Sequence, residues 1–288
     1  MIGDFRALNA QTKKDKYPIP SILDFTSDLH GARIFSHIDF VKAFHQMPIA
    51  SEDIHKTAIC TPFGLFESTR MQFGLCNAAS TFQRFIDEVT RGLKGVYAFI
   101  DDILIASQNV QEHTTNLRAL FERLDYYGLT IKPSKCTFGV DNLKFLGFQV
   151  SSEGISPLPD RVDAIQKFPR PNTLTQLRRF LGMYNFYRRF IPKAAHILAP
   201  LIKFLEGHTN KKKPSRPSKN PQTPLEWAEE AENSFTAAKT ALTDATLLKH
   251  PIPGATLSVW TDASNFAIGS SLMQLSNSNW EPIAFLSL

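Results

Sequence analysis

The sequence predicts an α+β chain built in more than one part, and three observations carry this. Over residues 1–156, short runs rich in β-branched and aromatic residues alternate with segments whose apolar residues recur at helical spacing. From Pro157 to Glu206 the spacing is helical throughout. The stretch "GHTNKKKPSRPSKNPQTP" (207–224) then has no apolar anchor and reads as a flexible linker, followed by a polar helix and two alternating strands. The chain has 288 residues, 43% of them hydrophobic and 20% charged, which suits a soluble globular protein with one large or two modest cores.

Each element has its own signal. "ARIFSHIDF" (32–40) reads as a strand. "NAASTFQRFIDEVTRGL" (77–93) reads as a helix, because Phe82, Phe85, Ile86 and Val89 share a face, with Gly92 and Gly95 ending it. "VYAFIDDILIAS" (96–107) has two apolar arms around a pair of acids, the pattern of a β-hairpin. A second helix is predicted within 109–132, with Leu117, Leu120, Phe121 and Leu124 as its stripe and Gly128 as its stop. "LKFLGFQVSSEGIS" (143–156) reads as a pair of short strands. Pro159 opens the next helix, and Thr173 or Thr175 caps the one after it. Residues 225–244 form the polar helix, and "TLSVWTDASNFAIGSSLMQL" the last strand pair.

Composition also excludes. The three cysteines are far apart with none in a CxxC pair, so neither a disulfide framework nor a zinc site is expected. No secretory leader and no run of about 20 apolar residues is visible, so an intracellular protein is expected, with no membrane partner. The net charge of +5 is unevenly spread. Residues 1–156 hold 16 Lys/Arg against 17 Asp/Glu, 157–206 hold 9 against 3, 207–224 hold 5 against 0, and 225–288 hold 2 against 7. The helical third quarter is therefore the part best suited to phosphate contacts.

The acids in the hairpin point to chemistry. Asp101 and Asp102 lie side by side in an apolar run, and a buried carboxylate is costly unless something pairs with it. In a regular strand the two would point to opposite faces, whereas a tight turn can aim both at one point. Two carboxylates sharing a small space repel unless one takes a proton or a cation sits between them. A hard cation such as Mg²⁺ takes oxygen ligands, and Asp39, at the end of its own apolar strand, is the natural third acid. Two strand-end acids on one sheet would hold two ions about 3.5–4 Å apart, the arrangement that serves phosphoryl transfer. An acid beside a turn is, taken alone, more often just a turn residue.

Seven segments, collinear over almost the whole chain, decide between these: "DFRALNAQTKKDKYPIP" (4–20), "SHIDFVKAFHQMPI" (36–49), "TPFGLFESTRMQFGLCNAASTFQRFID" (61–87), "FIDDIL" (99–104), "KFLGFQVSSEGI" (144–155), "FLGMYNFYRRFI" (180–191) and "WTDAS" (260–264). Together they resemble the reverse transcriptases of gypsy-like LTR retrotransposons, followed by the start of an RNase H domain. The resemblance implies a right-hand polymerase: partial fingers and palm over 1–150, a helical thumb over 151–206, a basic linker over 207–224 and an incomplete RNase H-like domain over 225–288. It implies an RNA-directed DNA polymerase acting on an RNA template, a DNA primer and dNTPs. Asp39, Asp101 and Asp102 would be catalytic and would bind two Mg²⁺, with Mn²⁺ able to substitute and the Phe40 carbonyl completing a shell. Asp39 and Asp101 would carry most of the ligation. Phe44 would sit under the incoming sugar and exclude a 2′-OH, with Phe73 and Gly74 in the same pocket. Arg6 would contact the template, Leu146, Gly147 and Phe148 would position the primer end, and Arg178, Arg179, Arg188 and Arg189 would grip the hybrid backbone. Each of those arginines, taken singly, suits a solvated helix face equally well. The implied location is cytoplasmic retroelement particles, with the nucleus as an alternative.

The chain departs from the family's pattern in places. Phe99 stands where a tyrosine usually opens the double-aspartate motif. Gln72 and Ala79 stand where prolines are commoner, which is expected to loosen turns. The fingers strands that precede "DFR" in the family, with their triphosphate-clamping cations, are not among these residues. Of the RNase H acids only Asp262 is present, so RNase H activity is not expected from a one-carboxylate site. The second reading is therefore a retroelement relic that binds nucleic acid without polymerising. A third, an RNA-synthesising palm polymerase, is disfavoured by Phe44.

Overall fold

The structure is a computed structural model that describes residues 3–21, 25, 27–206, 224–264 and 267–287. The expected linker, Pro224 apart, lies outside the described residues. The chain divides into two compact units, Met1–Leu146 and Gly147–Leu288.

The first unit is organised around an antiparallel sheet. Its strands are β1 (Ile34–Asp39), β4 (Val96–Phe99), β5 (Asp102–Ser107) and β6 (Thr137–Val140), in the order β4-β5-β1-β6. A short helix α1 (Arg6–Gln11) and a hairpin of β2 (Ile59–Thr61) and β3 (Gly64–Phe66) precede the helix α2 (Ala78–Thr90). Helix α3 (Val110–Tyr126) follows β5, and β7 (Asn142–Phe145) ends the unit.

Strand alternation assigns the two sheet faces. Directly paired residues of an antiparallel ladder share a face. Ile38 pairs with Ile103 and Ser36 with Ile105, and this face meets Phe82, Ile86 and Val89 of α2 and Leu120 and Leu124 of α3 in the core. Burying each such side chain stabilises the fold by about 1.5–3 kcal/mol. The opposite face carries Phe35, His37, Asp39, Leu104 and Asp102. There Phe25 packs edge-on against Tyr97, Phe99 and Phe145. Phe99 thus keeps the aromatic packing that a tyrosine would give.

Local signals explain the helix ends. Asn109 caps α3 by accepting from the Glu112 N–H at 2.9 Å, and Glu112 reaches back to the Gln108 N–H at 2.9 Å. Helix α2 stops before Gly92, at φ 80°, and α3 before Gly128, at φ 69°, both in the left-handed region that glycine adopts freely. Two expectations are corrected. Phe121 is 36% exposed and meets Phe138 edge-on instead of joining the core stripe. Ala79 lies in the first turn of α2, a regular helical position, so replacing a proline there loosens no turn.

The second unit opens with β8 (Phe148–Ser151) and β9 (Gly154–Pro157), an antiparallel pair. Residues 143–156 therefore contribute to three short strands, not two, because tight turns break the run twice. Helices α4 (Pro159–Gln166), α5 (Leu174–Phe186) and α6 (Ala194–Lys203) follow, with Pro159 at the first turn of α4. Thr173, not Thr175, caps α5, accepting from the Gln176 N–H at 3.3 Å. Helix α7 (Glu229–Thr243) packs on this group, its Phe235 ring 4.7 Å from that of Phe180. The unit ends in an antiparallel sheet of β10 (Leu257–Ala263), β11 (Ile268–Ser276) and β12 (Asn279–Ser287).

Candidate active site

Three acids approach one another at one end of the first sheet. Asp39 is the last residue of β1 and is the direct cross-strand partner of Asp102, the first residue of β5. Phe99 pairs with Asp102, so Ile100 and Asp101 form a two-residue hairpin turn, with Ile100 at φ 50°. A β-branched residue in the left-handed region is strained. Gln83 is what holds it. This fully buried amide on α2 accepts from the Ile100 N–H at 2.7 Å and donates to the Ala98 carbonyl at 3.1 Å and to Asp87 at 2.8 Å.

Asp39 is fixed just as closely. Its carbonyl accepts from the Lys132 N–H at 2.7 Å, and its own N–H donates to the Cys136 sulfur at 3.4 Å. Its carboxylate meets the Lys135 ammonium at 3.2 Å. Asp102 is paired elsewhere, with His37 Nε2 at 2.7 Å from its Oδ1. Among the described residues no side-chain donor reaches Asp101. Burial pushes its carboxyl above the ordinary range, and the charges of Asp102 and Asp39 push it further, with Lys135 opposing.

A cavity of about 350 Å³ opens beside these groups, lined by Asp39, Phe40 and Asp101, by Lys42, Lys132 and Lys135, and by Phe44 and Phe73. Phe44 sits in a 3-10 turn (Ala43–Gln46) entered through Lys42 at φ 47°. Its ring lies 5.2 Å from Phe73 and 5.7 Å from Phe82. Gln46 staples this loop to Val41 and Thr130, at 2.7–2.9 Å. Gly74, at φ 91°, accepts from the Asn9 amide at 2.7 Å.

The turn does not aim both neighbouring acids at one point. Asp101 joins Asp39 in the cavity, while Asp102 keeps its strand orientation and turns to His37. Among the described residues no three His, Cys, Asp or Glu side chains converge to hold a metal ion. Asp39 and Asp101 remain a fitting donor pair: two hard oxygen ligands share one cavity, and one of them lacks a counter-charge of its own.

The other expected residues are spread out. Arg6 is exposed and forms an ion pair with Asp4 at 2.6 Å. Leu146, at φ 47°, ends the first unit, and Gly147, at φ 89°, begins the second. Phe148 is buried, its ring stacked on Phe186 at 5.0 Å, so it serves the core and cannot itself touch a primer end. A Cβ on Gly147 would come within 2.9 Å of the same Phe186 ring. Arg178 and Arg179 lie exposed on α5. Arg188 and Arg189 fall past its end, in a 3-10 turn (Arg188–Phe190). Arg189 contradicts the expectation of a solvent-facing grip: its Nε and Nη1 are buried without hydrogen-bond partners among the described residues, its guanidinium lies 5.6 Å from the centre of the Phe190 ring, and burial holds its pKa down at about 10. Asp262 lies in β10 opposite Gly269, in a separate cavity of about 370 Å³ where it is the one acidic lining residue among the described residues, with Lys193 and His196.

Sequence reasoning missed Gln83, His37, Lys132 and Lys135. Gln83 was detectable as a polar residue inside the apolar stripe of α2. Lys132 and Lys135 lie about 30 residues past the hairpin, and the pairing of Phe40 with Ile131 helps bring them to the cavity.

Residues 1–150 match the family described as reverse transcriptase (RNA-dependent DNA polymerase), and residues 227–288 match the RNase H-like domain found in reverse transcriptase. The Retrovirus-related Pol polyprotein from transposon opus of Drosophila melanogaster is 37% identical, over 100% of this chain and 28% of its own length. That from transposon gypsy of the same species is 33% identical, over 95% of this chain and 26% of its own. The chain thus spans about a quarter of the length of these curated relatives. The foamy viral protease-reverse transcriptase solved in complex with dsDNA, as the dRH form, superposes with a TM-score of 0.88 at 24% identity, over 100% of this chain and 48% of that one. The same viral protein with an RNA/DNA hybrid gives 0.84 at 24% identity, over 99% and 37%. These likenesses show a reverse transcriptase fold.

Proposed function

Because the chain belongs to the reverse transcriptase family, we propose that it is an RNA-directed DNA polymerase of a retrotransposon, adding deoxynucleotides to a primer 3′-OH. One observation carries this reading: Asp39 and Asp101, from two different strand ends, share a cavity with Phe40, Phe44, Phe73 and three lysines. Asp39, Asp101 and the Phe40 carbonyl would hold two Mg²⁺, or Mn²⁺ in their place, which when bound supply Lewis-acid activation of the primer hydroxyl and charge neutralisation at the triphosphate.

The chain's own residues do the rest. Lys42, Lys132 and Lys135 place positive charge where a triphosphate would lie. Phe44, backed by Phe73 and Phe82, cannot yield to a 2′-OH without displacing packed rings. An RNA/DNA hybrid, the ligand of one similar solved structure, is the proposed partner. Arg178 and Arg179 would grip its backbone, with Arg188 beside them, and Arg6 the template. Leu146 and Gly147 would position the primer end through their backbone. In this reading residues 1–150 are palm and partial fingers, 151–206 thumb, and 225–288 an RNase H-like part in which Asp262 has no acidic partner among the described residues. The setting is intracellular, in retroelement particles.

The second reading is a retroelement relic that binds nucleic acid without polymerising. Extension of oligo(dT) on poly(rA) with dTTP and Mg²⁺ or Mn²⁺ separates the two. Polymerase activity gives a product that the Asp101→Asn, Asp102→Asn variant does not. Wild type no better than that variant leaves the binding reading.

A further inference from the structure

We infer that the buried His113, acting through Ser36, pins a bulge in β6 and so sets the register that brings Lys135 to Asp39 at the cavity. This makes His113 and Ser36 positioning residues for the triphosphate, which rests on the polymerase reading above and deepens it.

Strand β6 does not pair evenly with β1. Phe35 stands opposite Val140, yet His37 stands opposite Thr137, so β6 carries one extra residue between the two pairs. Such a β-bulge bends a strand and re-aims what lies beyond it. Gly139 lies in the bulge at φ 62°, where any other side chain is strained. A bulge takes a backbone N–H out of the ladder, and here the Gly139 N–H donates to Ser36 Oγ at 2.9 Å instead. Ser36 is held in turn. His113, in the first turn of α3, places Nε2 2.7 Å from Ser36 Oγ and Nδ1 3.0 Å from Ser107 Oγ. The Asn116 amide donates to the same Ser107 hydroxyl at 3.1 Å. Ser36, Ser107 and His113 are all buried. Burial lowers the His113 pKa against the weaker opposing charge of Glu112, so at neutral pH the ring is uncharged, with one nitrogen donating and the other accepting. A buried network whose members all have partners is rigid.

The register reaches the cavity. Beyond the bulge, the count that sets His37 against Thr137 sets Asp39 against Lys135, and the Lys135 ammonium does meet the Asp39 carboxylate at 3.2 Å. Without the bulge, the count from Phe35 and Val140 would set Cys136 there, and a one-residue slip turns side chains to the opposite face. Lys135 would then leave the cavity it lines, and Cys136 the core it packs against.

The test is a double-variant cycle joined to a readout that needs no turnover. Wild type, Ser36→Ala, His113→Leu, His113→Gln, Gly139→Ala, Lys135→Met and Ser36→Ala with Lys135→Met are compared for kcat and dNTP KM in primer extension, with thermal melting as the folding control. Gly139 is exposed and a Cβ on it meets nothing within 4 Å, so Gly139→Ala strains the bulge without touching the buried network and serves if the core variants do not fold. Ser36→Ala, His113→Leu and Gly139→Ala are each expected to raise KM about tenfold, with a smaller change in kcat. His113→Gln, which keeps a polar atom within reach of Ser36, should recover most of this. Ser36→Ala with Lys135→Met should raise KM no further than Lys135→Met alone, because both act through one ammonium. In a Cys60→Ser, Cys76→Ser background, thiol labelling of Cys136 should quicken several-fold in Ser36→Ala and Gly139→Ala as the thiol turns outward. An unchanged KM in Gly139→Ala, or effects that multiply in the double variant, would overturn the positioning role. Wild type that extends no primer would overturn the polymerase reading instead, and the register would then stand or fall on whether Cys136 labelling quickens.

Discussion

Asp39 and Asp262 are the same residue in nearly the same local setting, and the chain treats them differently. Each lies at or near the end of a strand in an antiparallel sheet. Asp39 faces a second acid across the ladder and shares its cavity with a third, and three lysines line the same space. Asp262 faces Gly269 and has no acidic neighbour among the described residues of its cavity. A strand-end aspartate becomes a candidate for metal chemistry when the topology delivers another hard ligand and a balancing charge. In the first unit a two-residue turn braced by Gln83 and a bridge at Ile131 deliver both.

The sharpest way to break this comparison is to remove one acid from each site. Asp101→Asn should lower polymerisation by about a thousandfold, in the range seen when a charge-stabilising group is removed from a reacting centre. Asp262→Asn should leave polymerisation unchanged in the same extension assay. Next in size is the turn itself. Gln83→Leu would leave the part-buried Ile100 N–H and the buried Ala98 carbonyl without this partner, at about 1–3 kcal/mol for the buried group, read as a lower denaturation midpoint with a loss of activity.

Phe44→Ala tests the cavity wall. It should raise ribonucleotide incorporation relative to deoxynucleotide by about 10–200-fold, the worth of one packed group in a specificity pocket. The arginines test the basic region. Arg178→Ala with Arg179→Ala should weaken hybrid binding and flatten its salt dependence by about one unit of slope for each phosphate left unneutralised. Arg189→Met should leave binding alone, since its unpartnered guanidinium nitrogens face protein, and it should not destabilise the fold.

The smallest expected effect is the pH dependence of the metal-free protein. A carboxyl with its folded pKa raised contributes stability that is fully present below the unfolded pKa and is lost as pH rises through the folded one. Asp101→Asn should therefore melt at a higher temperature than wild type near neutral pH. That advantage should disappear below the ordinary carboxylate range, where Asp101 is protonated in both states.

Much of the first unit was legible in the sequence because period and punctuation agree there. Strand β1, the helix carrying Phe82, Ile86 and Val89, and the hairpin at Asp101 follow from alternation, apolar spacing and glycine stops. The separate fates of Asp101 and Asp102 were not legible. They depend on the turn falling at Ile100 and Asp101, and on His37 reaching diagonally across the ladder, and neither leaves a periodic mark. Arg189 and Phe148 escape the sequence for a related reason: composition shows a basic or aromatic cluster but not which members point inward. The three strands within 142–157 look like two because their turns are too short to interrupt the apolar run.

The most direct test of the central claim is a crystal structure of the full chain with an RNA/DNA hybrid, a non-hydrolysable deoxynucleotide and Mn²⁺, located by anomalous scattering. The account predicts manganese held by Asp39 and Asp101 in the cavity beside Phe44. Manganese bound at Asp262 with the first cavity empty would contradict it.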